Sequence, residues 1–386
     1  MINDKHGTVS ATLLFNVKYC LIILLLLTAL KHIIYMYQLS YTPPTLLKNG
    51  LLMTIHSALR ANRNWEKTIA EPEPLYQEKI FIGAGGVPIF GIVAIPENPR
   101  STIVGTYGIT GDLDNQWFLK LLGRKAFARG YAVVFFDWRA HGKTAELSPT
   151  LTSDGLYEGE DFVRIAAAAK TMGCPTPLWF VSFSLGGQLA LWGVKKSQTV
   201  AEWGKDLGLQ VSDFGGGAVV CPSLDSKRSL SYLVKDPWGK YLEKVISKEL
   251  KKLALRIHEC HPEAIDPEAI KRANSISSFD NELVIERLGF SSVEEYYDAS
   301  SALPLLPELE KPTLILYAAD DPMFDPTIVP DLQAACAGNP AIDLALTQWG
   351  GHVGYVSSKA CQHQAKDPDP WWAWNRVLDW CDQQMS

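Results

Sequence analysis

One stretch decides the expected fold, and it reads Leu178-Trp179-Phe180-Val181-Ser182-Phe183-Ser184-Leu185-Gly186-Gly187. Its first six residues are mostly apolar and predict a buried strand, whereas residues 185–196 follow a helical pattern. The serine at this junction would lie on a tight strand-to-helix turn, where bulky residues two positions to either side would clash. Ser182 and Gly186 occupy those positions, and both are small. The stretch therefore predicts an exposed hydroxyl on Ser184, at the end of a central strand.

Strand-like and helix-like runs alternate on both sides of this turn. The strand-like runs lie at 80–82, 89–95, 102–106, 131–136, 178–183, 217–220, 313–317 and 341–346, and helical runs lie at 117–129, 157–172, 185–196 and about 371–381. Each parallel strand pair needs a crossover connection, and helical crossovers cover the two faces of a sheet. The first two runs, which a glycine-rich stretch separates, predict an opening hairpin. The expected fold class is α/β, with a mostly parallel sheet and helices on both faces.

About 90 residues separate the strand-like runs at 217–220 and 313–317, far more than the roughly 10 to 12 that a plain crossover needs. Within this gap, apolar residues recur at helical spacing over 240–257, and many lysines and glutamates lie between them. The pattern predicts an inserted helical cap at about 226–305. A lid helix packed on the core is the main interpretation of 240–257, and contact with anionic lipid is the alternative.

The turn serine needs a base to accept its proton and an acid to orient that base. Asp321 follows the strand-like run at 313–317, at the sheet edge where open parallel sheets bind their ligands, with Asp320 as the rival acid. His352 lies between glycines in a loop after the last strand-like run, where it can reach back over the sheet. The residues occur in the order Ser, Asp, His. The sequence therefore predicts a Ser184, Asp321 and His352 triad.

An acyl-transfer site of this kind also needs two backbone N–H groups that stabilise the oxyanion of the tetrahedral intermediate. Leu185, directly after the serine, is the first candidate donor. The loop Thr106-Tyr107-Gly108-Ile109-Thr110-Gly111 follows the third strand-like run, and its glycines permit a close backbone approach. Ile109 is the second candidate donor.

The composition excludes several classes of protein. The 386 residues are 47% hydrophobic and carry a net charge of −6, which is typical of a globular domain and argues against a nucleic-acid partner. The seven cysteines are scattered without a C-x-x-C pair, so neither a disulfide framework nor a zinc ribbon is expected. The cluster 258–261 (His-Glu-Cys-His) lacks a second ligand pair. No metal or cofactor is therefore expected, and the oligomeric state stays open.

The first 40 residues contain a hydrophobic segment. A span over 11–30 has the length of a membrane helix, but it carries Lys18 near its middle, and this costs about 2.5 to 3.5 kcal/mol. A membrane anchor, a start codon assigned too far upstream and a signal peptide remain alternatives. The division is thus a hydrophobic segment at 1–40 and a catalytic domain at 41–386, in a membrane-associated or cytoplasmic protein.

Several motifs together resemble the YheT-like branch of the α/β hydrolases, which includes the animal ABHD proteins. They are Pro43-Pro44, Asn49-Gly50, Thr54-Ile55, Ser277-Ser278-Phe279-Asp280, Tyr296-Tyr297-Asp298-Ala299-Ser300 and Asp320-Asp321-Pro322. The resemblance runs from about residue 42 to the last residue and implies the α/β-hydrolase fold. The sequence Asp137-Trp138-Arg139-Ala140-His141-Gly142 is similar to a loop of the broader superfamily. Two positions depart from the pattern, namely Ser182 for the elbow glycine and Tyr107 where a histidine is common.

The resemblance implies hydrolysis of carboxylic esters, often of acyl lipids, by Ser184, Asp321 and His352. The expected partner is a small acyl ester or lipid, and a membrane surface remains open as a second one. An acyltransferase would use the same residues with an alcohol in place of water. A non-catalytic ligand-binding homologue would keep the fold and the pocket.

Overall fold

The computed structural model of the protein describes residues 40–235 and 237–386. At its centre lies an eight-stranded sheet in the order β1-β2-β4-β3-β5-β6-β7-β8. The strands are β1 Gln77–Ile82, β2 Pro88–Ala94, β3 Ser101–Thr106, β4 Tyr131–Phe136, β5 Leu178–Phe183, β6 Phe214–Val220, β7 Thr313–Ala318 and β8 Ile342–Thr347. Strands β3 to β8 run parallel to one another, whereas β2 runs antiparallel to both β1 and β4. The predicted opening hairpin is the β1–β2 pair.

Helices connect these strands and build the insertion between β6 and β7. In the described residues, the α-helices of four or more residues are α1 Gly50–His56, α2 Trp117–Ala128, α3 Thr144–Leu147, α4 Glu158–Thr171, α5 Ser184–Ser197, α6 Val200–Trp203, α7 Ser226–Leu233, α8 Pro237–Cys260, α9 Pro267–Arg272, α10 Ile276–Phe279, α11 Ile285–Leu288, α12 Val293–Ser300, α13 Ile328–Ala337, α14 Lys359–Ala365 and α15 Trp372–Gln384. The prediction of alternating strands and helices is confirmed, with element ends that differ by a few residues.

Strand β5 shows that helices cover both faces of the sheet. Neighbouring residues of a strand point to opposite faces. The Trp179 ring meets Trp380 of α15 with centroids 5.5 Å apart, and Phe180 meets Phe162 of α4 at 5.1 Å. All six residues of β5 are buried, as are those of β3, β4 and β7, which explains their nearly continuous apolar sequences.

The insertion between β6 and β7 carries helices α7 to α12, within the range 226–305 that the sequence predicts for a cap. Its buried apolar side chains form a cluster of their own, apart from the sheet core, and they include Leu250, Ile257 and Phe279. Partly buried Ile109 and Met323 pack against this cluster from the body of the protein. The long helix α8 is the helix predicted at 240–257.

Residues 1–39, with the candidate anchor at 11–30, lie outside the described residues, as does Asp236. Within the described ranges, no helix combines the length and the apolar composition that a membrane crossing needs. The chain from Tyr41 to Thr68 packs as an arm against the loop after β8 and against the region of α14 and α15.

Candidate active site

Ser184 lies at the junction of β5 and α5 in a backbone conformation that few non-glycine residues adopt. Its φ is +55°, whereas Phe183 before it is extended with φ −144° and ψ 159°. The chain turns sharply here and aims the serine side chain out of the end of the strand. At Gly186, an added Cβ would lie only 2.3 Å from the Tyr107 carbonyl oxygen, so the turn has no space for a larger residue.

Ser182, the departure from the usual elbow glycine, has a structural role of its own. It is fully buried, and its Oγ accepts a hydrogen bond of 3.0 Å from the Thr106 N–H. Thr106 is its register partner on β3. The hydroxyl therefore ties the end of β5 to β3, and only Ser184 of the two serines points toward the site.

Three side chains from different loops meet at this turn. Ser184 Oγ lies 2.8 Å from His352 Nε2, and His352 Nδ1 lies 2.8 Å from Asp321 Oδ2. The Asp321 side chain is 1% exposed and that of His352 is 16% exposed, so the acid is shielded from water. A proton on Nδ1 that is donated to Asp321 leaves Nε2 free to accept the serine proton. The arrangement can therefore move a proton from Ser184 to His352.

The loop after β8 carries His352 and is called the histidine loop below. The two rival acids contact different parts of this loop. Asp321 Oδ1 accepts the Met323 N–H at 2.9 Å, which orients the carboxylate so that Oδ2 faces His352. Asp320 Oδ1 instead accepts the Gly351 N–H at 2.9 Å. Asp320 thus supports the loop backbone, and Asp321 contacts the imidazole.

The N-terminal arm also holds the histidine loop, which sequence reasoning did not predict. The His352 N–H donates to Thr54 Oγ1 at 2.8 Å, and the Thr54 hydroxyl donates to the Gly50 carbonyl at 2.8 Å. Gly351 has φ +57°, and an added Cβ there would lie 2.5 Å from the Gly50 oxygen. In the sequence, Asn49-Gly50 and Thr54-Ile55 were noted for the family resemblance alone. Their contact with the histidine loop could not be predicted, because about 300 residues separate them from His352.

The loop after β3 passes directly over Ser184. An added Cβ on Gly108 would lie 2.9 Å from Ser184 Cβ and 3.1 Å from its Oγ, so only glycine permits this approach. Tyr107 is fully buried, and its hydroxyl donates to Asp137 Oδ1, which also accepts the Leu113 N–H at 2.9 Å. Burial raises the pKa of Asp137 to about 6, although the Tyr107 hydrogen bond opposes the shift. Tyr107 therefore anchors the loop through its hydroxyl group.

His141 is a second residue that the sequence argument passed over, since it precedes the serine in the chain. Its ring stacks on Trp138 at a centroid distance of 3.6 Å, its Nε2 accepts the Thr110 N–H at 3.2 Å, and its Nδ1 donates to the Arg139 carbonyl at 2.9 Å. Burial lowers the pKa of His141 to about 4, so the ring is neutral near pH 7. Only the neutral ring can accept from Thr110, where φ is +62°.

Ser184 and His352 open into a pocket between the sheet and the cap. Its cavity volume is about 100 Å³, and the pocket is partly open to solvent. Its walls are mainly apolar, with Ile109 and Leu185 near the serine and Leu230, Ile246, Leu250, Leu253, Ile276, Phe279, Met323 and Phe324 among the others. Walls of this polarity favour an apolar ligand.

Two buried carboxyl groups line the same pocket where the cap meets the body. Asp154 belongs to the body and Asp280 to the cap, and the Tyr297 hydroxyl donates to Asp280 Oδ2. Burial raises the pKa of both acids. The nearby Glu158 carboxylate raises the pKa of Asp154 further, and Asp154 raises the pKa of Asp280 further. These groups favour their neutral forms in the folded protein.

The two histidines of the 258–261 cluster in the cap form hydrogen bonds to backbone carbonyls. His258 Nδ1 donates to the Ile265 carbonyl at 3.0 Å, and His261 Nε2 donates to the Glu146 carbonyl at 3.0 Å. Across residues 40–235 and 237–386, no group of three or more His, Cys, Asp or Glu side chains is placed to hold a metal ion.

Comparison with known proteins identifies the family. The profile described as "Alpha/beta hydrolase family" matches residues 111–361, which is more than half of the chain. The chain belongs to the alpha/beta hydrolase family. A relative from Synechocystis sp., named "Putative esterase slr0264", is 53% identical over 89% of this chain and 95% of its own length.

Two further relatives place this alpha/beta hydrolase in the YheT/ABHD branch, as the sequence predicts. The protein named "Putative esterase YheT" from Escherichia coli is 27% identical over 75% of this chain and 80% of its own. "Phospholipase ABHD3" from Mus musculus is 24% identical over 68% of this chain and 60% of its own. The family and these relatives support hydrolase activity, whereas the roles of the individual site residues stay predictions.

Proposed function

We propose that the protein hydrolyses carboxylic esters through Ser184 as nucleophile, His352 as general base and Asp321 as the acid that orients it. The observation that carries the proposal is the pair of 2.8 Å contacts from Ser184 Oγ to His352 Nε2 and from His352 Nδ1 to Asp321 Oδ2. A hydroxyl, an imidazole and a buried carboxylate in this order are the groups that activate a serine for acyl transfer.

The reaction begins when Ser184 Oγ attacks the acyl carbonyl while His352 Nε2 accepts its proton. The carbonyl oxygen becomes an oxyanion, which the N–H groups of Leu185 and Ile109 stabilise. Leu185 is in the first turn of α5, where backbone N–H groups lack intrahelical partners, and Ile109 follows the glycine that contacts Ser184. His352 then donates the proton to the leaving alcohol, and a water molecule releases the acyl group by the same steps.

The pocket supports an acyl lipid or medium-chain ester as the substrate. Its walls next to Ser184 are apolar, so a hydrocarbon chain would be desolvated there. The relatives named as esterases and as a phospholipase are consistent with this substrate class. The acyl chain would lie beneath α8, with the ester carbonyl at Ser184.

The test compares three proteins on p-nitrophenyl esters from acetate to palmitate. Ser184→Ala should lose at least about a thousandfold in kcat, since the nucleophile is absent. Ser197→Ala is the matched control on the same helix, because its hydroxyl donates to the Val194 carbonyl of that helix. It should keep the activity, and the chain length with the highest kcat/KM would measure the depth of the pocket.

A fluorophosphonate probe supplies the second readout. It should label the unmodified protein and Ser197→Ala but not Ser184→Ala. Folded protein that neither hydrolyses any ester nor takes the label would contradict the proposal in favour of a ligand-binding homologue. Faster transfer to an added alcohol than to water would instead identify an acyltransferase with the same nucleophile.

A further inference from the structure

The outer face of the long cap helix α8 exposes large apolar side chains. Trp238 is 56% exposed, Tyr241 60% and Val245 42%. They follow one another at spacings of three and four residues and therefore lie along one stripe of the helix. Isolated exposed apolar residues are common on proteins, but a stripe with two aromatic rings needs an explanation.

A row of lysines lies along one side of this stripe. Lys240, Lys244 and Lys248 are exposed, and none forms an ion pair with another described residue. The helix as a whole carries six Lys or Arg and three Glu, whereas the full chain has a net charge of −6. Glu243 does not neutralise the lysines, because its Oε1 accepts the Ser247 hydroxyl and the Ile276 N–H inside the cap. These three lysines therefore place positive charge beside the apolar stripe.

The opposite face of the same helix lines the pocket. Ile246, Leu250 and Leu253 are pocket walls, together with Ser184 on the floor. Helix α8 therefore separates the acyl-binding space from the exterior by the thickness of a single helix. Its outer stripe joins aromatic residues with lysines, which is the composition of helices that lie in a membrane interface.

We propose that Trp238, Tyr241, Val245, Lys240, Lys244 and Lys248 form a docking face for an anionic lipid surface. The aromatic and aliphatic side chains would enter the boundary between headgroups and acyl chains, and the lysines would contact the phosphates. A second copy of the chain is a poorer occupant, since a symmetric contact would bring the lysines of one copy against those of the other. Docking does not need the triad, but its benefit to catalysis rests on the proposed function.

The first experiment measures contact at the face itself. An environment-sensitive fluorophore is attached to Val245→Cys in full-length protein that also carries Cys20→Ser and Cys260→Ser, because the remaining five cysteines are buried. Vesicles of phosphatidylcholine with phosphatidylglycerol should shift its emission to the blue, and pure phosphatidylcholine should shift it much less. The same label at Lys205→Cys, an exposed site outside the cap, should not respond.

The second experiment tests the lysines. The triple variant Lys240→Glu, Lys244→Glu, Lys248→Glu should weaken the vesicle-induced shift at least about tenfold in lipid concentration. The matched control changes three other exposed lysines, Lys67→Glu, Lys205→Glu and Lys359→Glu, and should respond as the unmodified protein does.

Three results would overturn docking on lipid. These are a label at 245 that does not respond to anionic vesicles, an equal response in the two triple variants, and a response that follows protein concentration without lipid, which would identify self-association. Failure of the proposed function is distinguishable, because Ser184→Ala should show the full shift without hydrolysis. If both proposals hold, the lysine variant should lose activity on vesicle-borne ester and keep it on a soluble one.

Discussion

Gly108→Ala should slow the enzyme without unfolding it. The added Cβ would lie 2.9 Å from Ser184 Cβ and 3.1 Å from Oγ. Carbon atoms pack best at about 3.5 to 4.0 Å, so the loop or the serine must move by roughly half an ångström or more. Since a misplacement of about 1 Å can cost a hundredfold in rate, we expect kcat to fall between about tenfold and a hundredfold.

The assay measures kcat and KM on a soluble p-nitrophenyl ester, with the melting temperature as a check on folding. Gly338→Ala is the control, because no heavy atom lies within 4 Å of its added Cβ and its backbone is in the helical region. It should leave kcat unchanged. A folded Gly108→Ala protein with kcat within about twofold of the unmodified enzyme would refute the assignment of this loop to the oxyanion site.

Three other changes have defined outcomes. Asp161→Asn removes the partner of buried Arg139, so urea denaturation should show a loss of about 3 to 5 kcal/mol. His141→Phe removes the acceptor of the Thr110 N–H, and steady-state kinetics should show kcat reduced about tenfold or more with KM little changed. Burial raises the pKa of Asp154, so the folded protein binds this proton more tightly than the unfolded chain does, and stability falls as the pH rises above the ordinary carboxyl pKa. Asp154→Asn should therefore raise the melting temperature more at about pH 8 than at about pH 5.

Most of the fold could be predicted from local sequence patterns. A strand buried on both faces must be apolar throughout, so β4 and β5 are visible in sequence, and the serine turn is visible because Gly186 and Ser182 must be small. The cap is visible as excess length between β6 and β7. These signals need no knowledge of distant contacts, which is why they can be read without a structure.

The site residues that the sequence did not reveal act through contacts between segments that are far apart in sequence. Thr54 binds the backbone of His352 from 298 residues away, and His141 reaches the loop after β3 from the loop after β4. Neither residue has a local pattern that reveals its role, since a threonine in a short helix and a buried histidine are both ordinary. The choice between Asp320 and Asp321 was a matter of motif, and the structure adds the physical difference, namely which carboxylate faces the imidazole.

The contact between the arm and the histidine loop bears on how the enzyme is made. A growing chain contains Thr54 before the β5 turn with Ser184, and His352 follows Ser184 by 168 residues. Until then, the nascent polypeptide has the serine hydroxyl and part of the pocket but lacks the imidazole that lies 2.8 Å from this hydroxyl in the folded protein. Under the proposed mechanism, a polypeptide released before His352 would lack its general base and would not hydrolyse esters.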